Sequence, residues 1–400
     1  MDLRSENPFW LLKNGLLNTY PSLEENIDCE VLVIGAGITG ALCGWHLAQA
    51  GLDVVLVDRR HAGFGSTSAS TALLQYEIDT PLYELSELIG EKNAVKSYLM
   101  CLDAIYKIKD IAEQLGDDTF CLKPSFQYSS FKKDEETTEQ EYKIRKKHGF
   151  KADLLGRDDI KKMFGFESAN GLYSEDGAQV DPFHLTYKLL DAITKKGGRV
   201  YDSTSVTTLT TGGKSAELMT ERGKKIKAKH VVIAAGYESQ RYLQEEVEIL
   251  KSSYVIVSEP FVPVKEFWHE NALIWETAHP YLYMRTTDDH RILVGGLDDD
   301  FYNPKKRDAA LNKKSRQLHE KFMKLFPGSV FKTDFSWAGT FTETKDGLPY
   351  IGQVNYLPNC WFALGFGGNG ITFSLIAAEM ITEAIVKNKA NIPPFFGFDR

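Results

Sequence analysis

The stretch Cys29–Gly44, CEVLVIGAGITGALCG, decides how this chain folds. Its apolar residues Val31–Ile34 contain no turn former and are rich in β-branched side chains, which is typical of a buried strand in a parallel sheet. Glycines follow at once. We expect Gly35 to allow a tight turn, Gly37 to let the backbone approach a pyrophosphate, and Gly40 to let the next helix pack flat on the sheet.

The segments after these glycines complete a dinucleotide-binding motif. A predicted helix over 41–50 leads to a second buried strand, Val54–Val57, which ends in Asp58. Asp58 follows Gly35 by 23 positions, close to the roughly 20 expected for the carboxylate that binds a ribose. The helix N-terminus would offer unpaired N–H groups and a partial positive charge to the pyrophosphate. The order of these parts therefore predicts a dinucleotide site rather than a structural turn alone.

Length and composition limit the class of protein. The 400 residues, 43% of them apolar, are enough for one large domain or two closely packed ones. A net charge of −8 argues against nucleic acid as the main partner, since proteins that bind it usually carry a basic face. The sequence shows no signal-peptide core and no run of roughly 18 apolar residues that would form a membrane helix. We expect a soluble, cytoplasmic protein that binds a small molecule, with its oligomeric state left open.

The cysteines indicate neither a disulfide framework nor a metal site. Their number is odd, and none of them shows C-x-x-C spacing. We expect mostly buried thiols at Cys29, Cys43, Cys101, Cys121 and Cys360.

A segment of small hydroxyl residues follows Asp58. Ser66–Leu73 reads STSASTAL and suits a loop that opens a helix and turns N–H and O–H groups toward phosphate or a polar ring edge. An ordinary helix cap is the alternative.

Periodicity assigns much of the remaining chain. Apolar spacing of three to four predicts helices over 82–115, 151–164 and 305–325, and mixed charges predict a solvated excursion over 132–147. Residues 8–26 form an arm docked on the surface by Phe9, Trp10 and Tyr20. After Ser252, apolar and polar residues alternate in short runs, which predicts an antiparallel sheet and a candidate substrate layer.

Two later stretches again join a buried strand to glycines. His230–Gly236 reads as a parallel strand that ends at the same sheet edge as the first. Trp361–Leu364 runs into Gly365–Gly370, GFGGNG, ahead of a predicted helix over 371–386. A nicotinamide dehydrogenase, the first alternative, needs no second glycine loop.

A long cofactor explains both glycine loops. Its ADP half would lie on Gly35–Gly40, and an electron-accepting ring would lie near Gly367–Thr372. A helix N-terminus aimed at a reduced flavin would stabilise the negative charge near N1 and C2=O by roughly 1 kcal/mol or more.

These residues resemble a known family, the FAD-dependent oxidoreductases that include glycine oxidase, D-amino-acid oxidase and sarcosine oxidase. The resemblance is carried, in order and over nearly the whole chain, by IGAGITG with Asp58, GSTSASTALL, VVIAAG, WAGTFTETKDGLPYIG and ALGFGGNGIT. The arm with Trp10 is also similar to relatives of γ-glutamylputrescine oxidase.

The resemblance implies an α/β fold with an α+β substrate layer: a Rossmann-like FAD-binding domain and a second domain built on an antiparallel sheet. The FAD-binding domain would be discontinuous, over 27–85, 166–246 and 333–389. The substrate-binding domain, over 86–165 and 247–332, would roof the flavin, and residues 1–26 would form the arm.

The resemblance also implies the cofactor contacts, with the first glycines at the pyrophosphate, Asp58 at the ribose, the Val206 backbone at the adenine and the last glycine loop at the polar edge of the flavin. The implied FAD-binding residues are Gly35, Gly37, Ile38, Thr39, Gly40, Asp58, Arg59, Ser66, Thr67, Thr71, Ala72, Leu73, Val206, Ala235, Gly236, Gly339, Gly367, Gly368, Asn369, Gly370, Ile371 and Thr372.

Two departures from the family pattern bear on the chemistry. Sarcosine oxidase relatives hold the flavin covalently through a cysteine at the position of Gly339, so we expect non-covalent FAD. Glycine oxidase relatives carry an arginine that binds the substrate carboxylate at the position of Phe341. Phe341 would then be a hydrophobic pocket wall or simply core.

Arg285 is the alternative candidate for binding a carboxylate, or else a surface arginine at a strand end. It lies on a predicted roof strand on the same side as Tyr283 by alternation. Tyr254 and Gln75 are weaker pocket candidates. Hydride transfer from carbon to flavin N5 needs positioning and exclusion of water, so we nominate no catalytic nucleophile and no metal.

The sequence therefore predicts an FAD-dependent oxidase or dehydrogenase that oxidises a C–N bond of an amine or amino-acid-like molecule. The alternatives are an FAD-dependent tRNA-modifying oxidoreductase and a flavin-binding protein without amine turnover. Substrate identity and electron acceptor stay open.

Overall fold

The computed structural model describes residues 1–5, 7–261 and 266–400, which form two sheets with helices packed on them. The helices are α1 (Phe9–Asn14), α2 (Ile38–Gln49), α3 (Leu82–Ile89), α4 (Glu91–Leu115), α5 (Glu135–Lys147), α6 (Arg157–Phe164), α7 (Pro182–Lys195), α8 (Pro304–Leu325) and α9 (Gly370–Lys387). The strands are β1 (Ile27–Ile34), β2 (Val54–Val57), β3 (Leu73–Gln75), β4 (Cys121–Tyr128), β5 (Ala152–Gly156), β6 (Asn170–Gln179), β7 (Arg199–Tyr201), β8 (Val206–Gly212), β9 (Ser215–Thr220), β10 (Lys225–Ile233), β11 (Ile249–Ser258), β12 (Leu273–Glu276), β13 (Leu282–Thr286), β14 (Ile292–Asp299), β15 (Thr333–Glu343), β16 (Tyr350–Gly352) and β17 (Cys360–Leu364).

The first sheet contains the strand that the glycine motif predicts. Its order is β16-β17-β10-β1-β2-β7, and the pairs from β17 to β7 are parallel. Val33 lies between Val232 of β10 and Leu56 of β2, and all three are fully buried. Helices α2, α7 and α9 pack together on one face of this sheet, which completes the predicted Rossmann-like layer.

The second sheet is mostly antiparallel, as the alternation after Ser252 predicts. Its order is β15-β11-β14-β13-β12-β4-β6-β3, with β5 paired to β6, and β12 runs parallel to β4. Three of its strands, β3, β6 and β15, come from segments that the sequence assigns to the FAD-binding domain. The chain thus passes repeatedly between the two sheets, so that several strands of the second sheet end beside the first.

Three local predictions were wrong for backbone reasons. Ser66–Ala69 forms a short 3₁₀ turn and opens no helix, because Ala72 adopts a φ of 51° and Leu73 pairs with β6. The helix predicted over 82–115 is broken by Gly90, whose φ is 85°. The predicted helix over 151–164 begins only at Arg157, because Ala152–Gly156 pairs with β6 as a strand.

The charged run over 132–147 is mostly exposed to solvent, as the sequence predicts, but one side of it packs into the protein. It forms α5, in which Glu141 and Arg145 are buried. Arg145 pairs with Glu141 at 2.7 Å and with Glu77 of the neighbouring segment at 3.2 Å. Glu141 also accepts hydrogen bonds from the backbone N–H groups of Leu82 and Tyr83, so it caps α3. Burial raises the pKa of Glu77, while Arg145 opposes that rise.

The N-terminal arm lies on the surface and is docked by the predicted aromatic residues. Phe9 is 2% exposed and Trp10 is fully buried. The indole N–H of Trp10 donates to the carbonyl of Ser70 at 2.7 Å, so α1 holds the turn that follows Asp58. Tyr20 stacks on Tyr187 of α7, with ring centroids 6.4 Å apart.

Among the described helices, one is long and apolar enough to span a membrane. It is α9 together with the 3₁₀ turn before it, and it covers Gly367–Lys387. Most of it is buried inside the protein, and it packs against α2 and α4. Its apolar character is therefore accounted for by the core.

The prediction of mostly buried thiols is confirmed, since Cys121 alone among the five cysteines is exposed.

Replacing Arg145 by methionine should destabilise the fold strongly. Glu77 and Glu141 would stay buried without their counter-charge, which typically costs about 3–5 kcal/mol. Thermal unfolding followed by circular dichroism should show a clearly lowered midpoint. Lys143→Met is the matched control, because the Lys143 side chain on the same helix is 72% exposed and pairs with Glu139 at 3.5 Å. Equal midpoints for the two variants would contradict a stabilising role for the buried pairs.

Candidate functional site

One cavity joins the two glycine-rich ends of the chain. Gly35, Gly37 and Asp58 line it at one end, and Gly367–Gly370 line it at the other. The turn at 66–69 and β3 line its middle, and β11, β13, β14 and β15 contribute the facing wall. The edge of the parallel sheet and the second sheet therefore enclose the same space.

The turn after β1 requires glycine at Gly35, Gly37 and Gly40, because neighbouring atoms leave no room for a side chain there. Gly35 has a φ of 111°, and a Cβ on it would overlap the carbonyl oxygen of Ala234. A Cβ on Gly40 would overlap the carbonyl oxygen of Gly35, so α2 packs directly onto the turn. A Cβ on Gly37 would lie 2.8 Å from the Thr67 hydroxyl oxygen, which accepts from the N–H of Ile38 at 2.9 Å. Helix α2 therefore begins at the cavity wall with Gly37, a residue that has no side chain.

Asp58 is held by backbone donors on both oxygens. One oxygen accepts from the N–H of Ala36 and the other from the N–H of Arg60, each at 2.8 Å. Burial raises the pKa of Asp58 to about 6, and the two N–H groups and the Arg60 charge oppose the rise. Each carboxylate oxygen keeps a lone pair with which it can accept from a ligand hydroxyl.

The cations on the cavity wall gather near Asp58. Arg59 and Arg60 both pair with Glu238, at 2.9 and 3.1 Å. Arg241 donates to the carbonyl of Val206 at 3.1 Å. Among the residues that the structure describes, these are the Lys and Arg side chains lining the cavity.

The last glycine loop is tied to the segment after β3. Asp79 accepts from the N–H of Gly368 at 2.8 Å, and a Cβ on Gly367 or Gly368 would collide with the Asp79 carboxylate. The Asn369 side-chain amide donates to the carbonyls of Gln75 and Glu77, at 3.0 and 2.8 Å. These bonds fix the N-terminal end of α9 against the cavity.

Most of the predicted FAD-binding residues meet on the cavity wall, although their contact with a cofactor stays a prediction. Those that line it are Gly35, Gly37, Ile38, Thr39, Asp58, Arg59, Ser66, Thr67, Thr71, Ala72, Leu73, Val206, Ala235, Gly236, Gly339, Gly367, Gly368, Asn369, Gly370 and Ile371. Gly40 and Thr372 stand behind the wall. Gly40 packs on Gly35, and the Thr372 hydroxyl donates to the carbonyl of Asn369 at 2.9 Å.

Three of the predicted substrate-pocket residues, Phe341, Tyr283 and Gln75, line the cavity, and two do not. Arg285 is 2% exposed and donates from Nη1 to the carbonyls of Ala72 and Val180, at 2.8 and 3.2 Å. It lies over the Trp10 ring and supports the wall from behind. Tyr254 faces away from the cavity, because strand alternation turns it toward Asp299, to which its hydroxyl donates at 2.9 Å.

Sequence reasoning missed several residues that line the cavity. Among them are Leu3, Asp79, Ser253, Trp275 and Asp298. The acidic run at the end of β14 was a usable signal for Asp298, since polar residues at strand ends often lie at a site. Nothing in the local pattern marked Leu3, which reaches the cavity because its carbonyl accepts from the N–H of Thr340 at 2.8 Å.

Comparison with known proteins agrees with this geometry. The family model described as FAD dependent oxidoreductase matches residues 30–384. Gamma-glutamylputrescine oxidoreductase of Escherichia coli (strain K12) is 27% identical to this chain over 92% of the chain and 85% of that protein. Glycine oxidase of Bacillus licheniformis is 25% identical over 90% of the chain and 93% of that protein. The crystal structure of glycine oxidase from Geobacillus kaustophilus is similar in fold, with a TM-score of 0.80 at 19% identity, covering 93% of this chain and 99% of that one.

The cavity residues fit FAD. Bare backbone at Gly37 and the start of α2 suits a pyrophosphate, and Asp58 has lone pairs left for ribose hydroxyls. The cavity then continues without interruption to the start of α9, as a molecule with a nucleotide at one end and a ring at the other requires. FAD, when bound here, supplies the electron-accepting chemistry.

Gly37→Val should yield a folded protein with little FAD. The valine side chain would enter the space beside Thr67 that the pyrophosphate needs, while the φ of −80° at position 37 accepts any residue. Gly212→Val is the matched control, since a Cβ there meets nothing within 4 Å. FAD content is measured by absorbance after acid precipitation. Normal FAD content in Gly37→Val would refute this placement of the pyrophosphate.

FAD affinity should fall as the pH drops through about 6. Below the raised pKa, Asp58 becomes protonated and can no longer accept from two ribose hydroxyls, while Arg60 beside it stays charged. The dissociation constant, followed by flavin fluorescence, should rise by up to about tenfold per pH unit below that pKa. Asp58→Asn should bind FAD weakly at every pH. If the pH dependence persists in Asp58→Asn, another group is responsible.

Proposed function

The chain belongs to the family of FAD dependent oxidoreductases, and on that premise we propose that it oxidises a C–N bond of an amine or amino-acid-like small molecule. The observation that carries the proposal is the single cavity, which begins at a dinucleotide turn and ends in a pocket with aromatic walls beside α9. The names of the similar proteins, which act on an amine and on glycine, support the same class of substrate.

The pocket can position the substrate amine and exclude water, which hydride transfer requires. The C–H bond next to nitrogen would break with its electron pair leaving as hydride, for which bound FAD would be the acceptor, and the nitrogen lone pair would form the C=N bond of a protonated imine. Water then hydrolyses the imine to a carbonyl compound and an amine. The protein's part is to hold the neutral amine in line and keep water out, for which Trp275, Tyr283 and Phe341 supply apolar walls.

The tyrosine in this wall stays neutral. Burial raises the pKa of Tyr283 to about 12. Its hydroxyl is therefore a hydrogen-bond donor at physiological pH and does not act as a base. No described side chain is required to form a covalent bond to the substrate.

We also propose that FAD is held without a covalent bond. Gly339 lines the cavity at the position where the resemblance places a flavin-linking cysteine, and no cysteine is among the described lining residues. The domain boundaries and the division into an FAD-binding part and a substrate-binding part belong to the same proposal.

An anaerobic visible spectrum tests the function. The purified protein should release FAD on acid precipitation, and its flavin band should bleach on addition of one class in a panel of primary amines, secondary amines and amino acids. Bleaching by one class would also name the substrate type. An FAD-loaded protein that no amine bleaches would refute amine oxidation and leave a silent flavoprotein, or an enzyme acting on RNA if it retains tRNA in a gel shift.

A further inference from the structure

The two ends of the cavity differ in charge. Arg59, Arg60 and Arg241 gather at the Asp58 end, whereas the end that holds Phe341 carries Asp79 and Asp298 and no Lys or Arg among the described lining residues. A substrate carboxylate placed there would meet two acids and no counter-charge. The electrostatics of this end therefore favour a cation.

A β-bulge places Asp298 in the cavity wall. Ser252 pairs with Asp299 and Tyr254 pairs with Gly296, so two residues of β14 stand opposite Ser253 alone. Leu297, the first of the two, has a φ of 57°. The bulge lets Asp298 face the cavity with Ser253 while Asp299 faces away, toward Tyr254 and Lys314.

One oxygen of the Asp298 carboxylate lacks a partner among the described residues, although Ser253 donates a hydrogen bond to the group. Its Oδ1 atom is buried and has no hydrogen-bond partner within the described chain. Burial raises the pKa of Asp298 to about 6, so the group is mostly charged at neutral pH. The nearby cation, Lys251, pairs with Glu343 at 2.6 Å and Asp300 at 3.0 Å. A buried carboxylate oxygen without a partner is costly, and a bound cation would remove that cost.

Aromatic faces surround the same space. The rings of Tyr281 and Tyr283 lie 5.8 Å apart, and the Tyr283 ring fits against Gly295, where a Cβ would overlap it. Trp275 is the register neighbour of Tyr283 on β12, and Phe341 stands on β15. Aromatic faces combined with a carboxylate are the chemistry that binds an ammonium group.

We propose that this end of the cavity is a cation site and that the substrate is an amine that bears a second, protonated nitrogen and no free carboxylate. Asp298 would bind the second nitrogen, and the faces of Tyr281, Tyr283 and Trp275 would surround it. The nitrogen that is oxidised must be neutral, because its lone pair forms the C=N bond, so the nitrogen held by Asp298 is a different one. This inference rests on the proposed function for its substrate, but the cation site itself can be tested without turnover.

Three compounds with the same carbon chain test the substrate class. Cadaverine carries a second ammonium group, pentylamine carries a methyl group there, and δ-aminovalerate carries a carboxylate. Anaerobic flavin reduction should be at least about tenfold more efficient with cadaverine than with the other two, and Asp298→Asn should abolish that preference. Asp300→Asn is the control, because Asp300 is 88% exposed on its side chain and lies off the cavity wall. Equal efficiency with pentylamine, or a preference for δ-aminovalerate, would overturn the proposal.

A binding measurement separates this proposal from the proposed function. Tetramethylammonium has no lone pair on nitrogen and cannot be oxidised to an imine. Calorimetry with the FAD-loaded protein should detect its binding, weakened about tenfold or more by Asp298→Asn and unchanged by Asp300→Asn. Failure of every amine to reduce the flavin, together with this binding pattern, would refute amine oxidation and keep the cation site. Absence of tetramethylammonium binding, or equal binding by Asp298→Asn, would overturn the cation site even if amines are oxidised.

Discussion

The fold depends on a contact between two backbones, where α2 meets the turn after β1. A side chain on Gly40 would overlap the carbonyl oxygen of Gly35, and a side chain on Gly35 would overlap the carbonyl oxygen of Ala234. Only glycines allow the helix, the turn and the neighbouring strand β10 to approach so closely. This approach brings the N-terminus of α2 to the sheet edge, and the cavity takes its position from that edge.

The first sheet was predictable from the sequence because its signals are local. Runs such as Val31–Ile34 and Val54–Val57 are apolar on both faces, and glycines mark their ends, so strand type and edge follow without knowledge of the rest of the chain. The buried charges of α5 were missed because composition cannot reveal that Arg145 meets Glu77 from another segment. Charged residues are usually exposed, but a charged residue can be buried when the tertiary fold supplies a partner of opposite charge.

The pocket was harder to predict than the cofactor end, for a geometric reason. Alternation placed Tyr283 and Arg285 on one face, as the structure does, but it could not tell that Arg285 lies two positions too far along the strand and reaches Ala72 instead. It also could not reveal the bulge opposite Ser253, which puts Asp298 on the wall. One extra residue in a strand reverses which side chains face inward, and no periodic pattern records where that residue lies.

Closure of the cavity by distant segments has a consequence for biosynthesis. The chain leaves the ribosome from its N-terminus, so the turn at Gly35 emerges long before β10, β15 and the loop at Gly367–Gly370. Strand β1 needs β10 as a partner, and Leu3 needs the backbone of Thr340. A nascent chain that lacks its last elements therefore has only part of the cavity wall, and that part is open to solvent. Flavin loading belongs after release from the ribosome, when both ends of the chain can close on the same molecule.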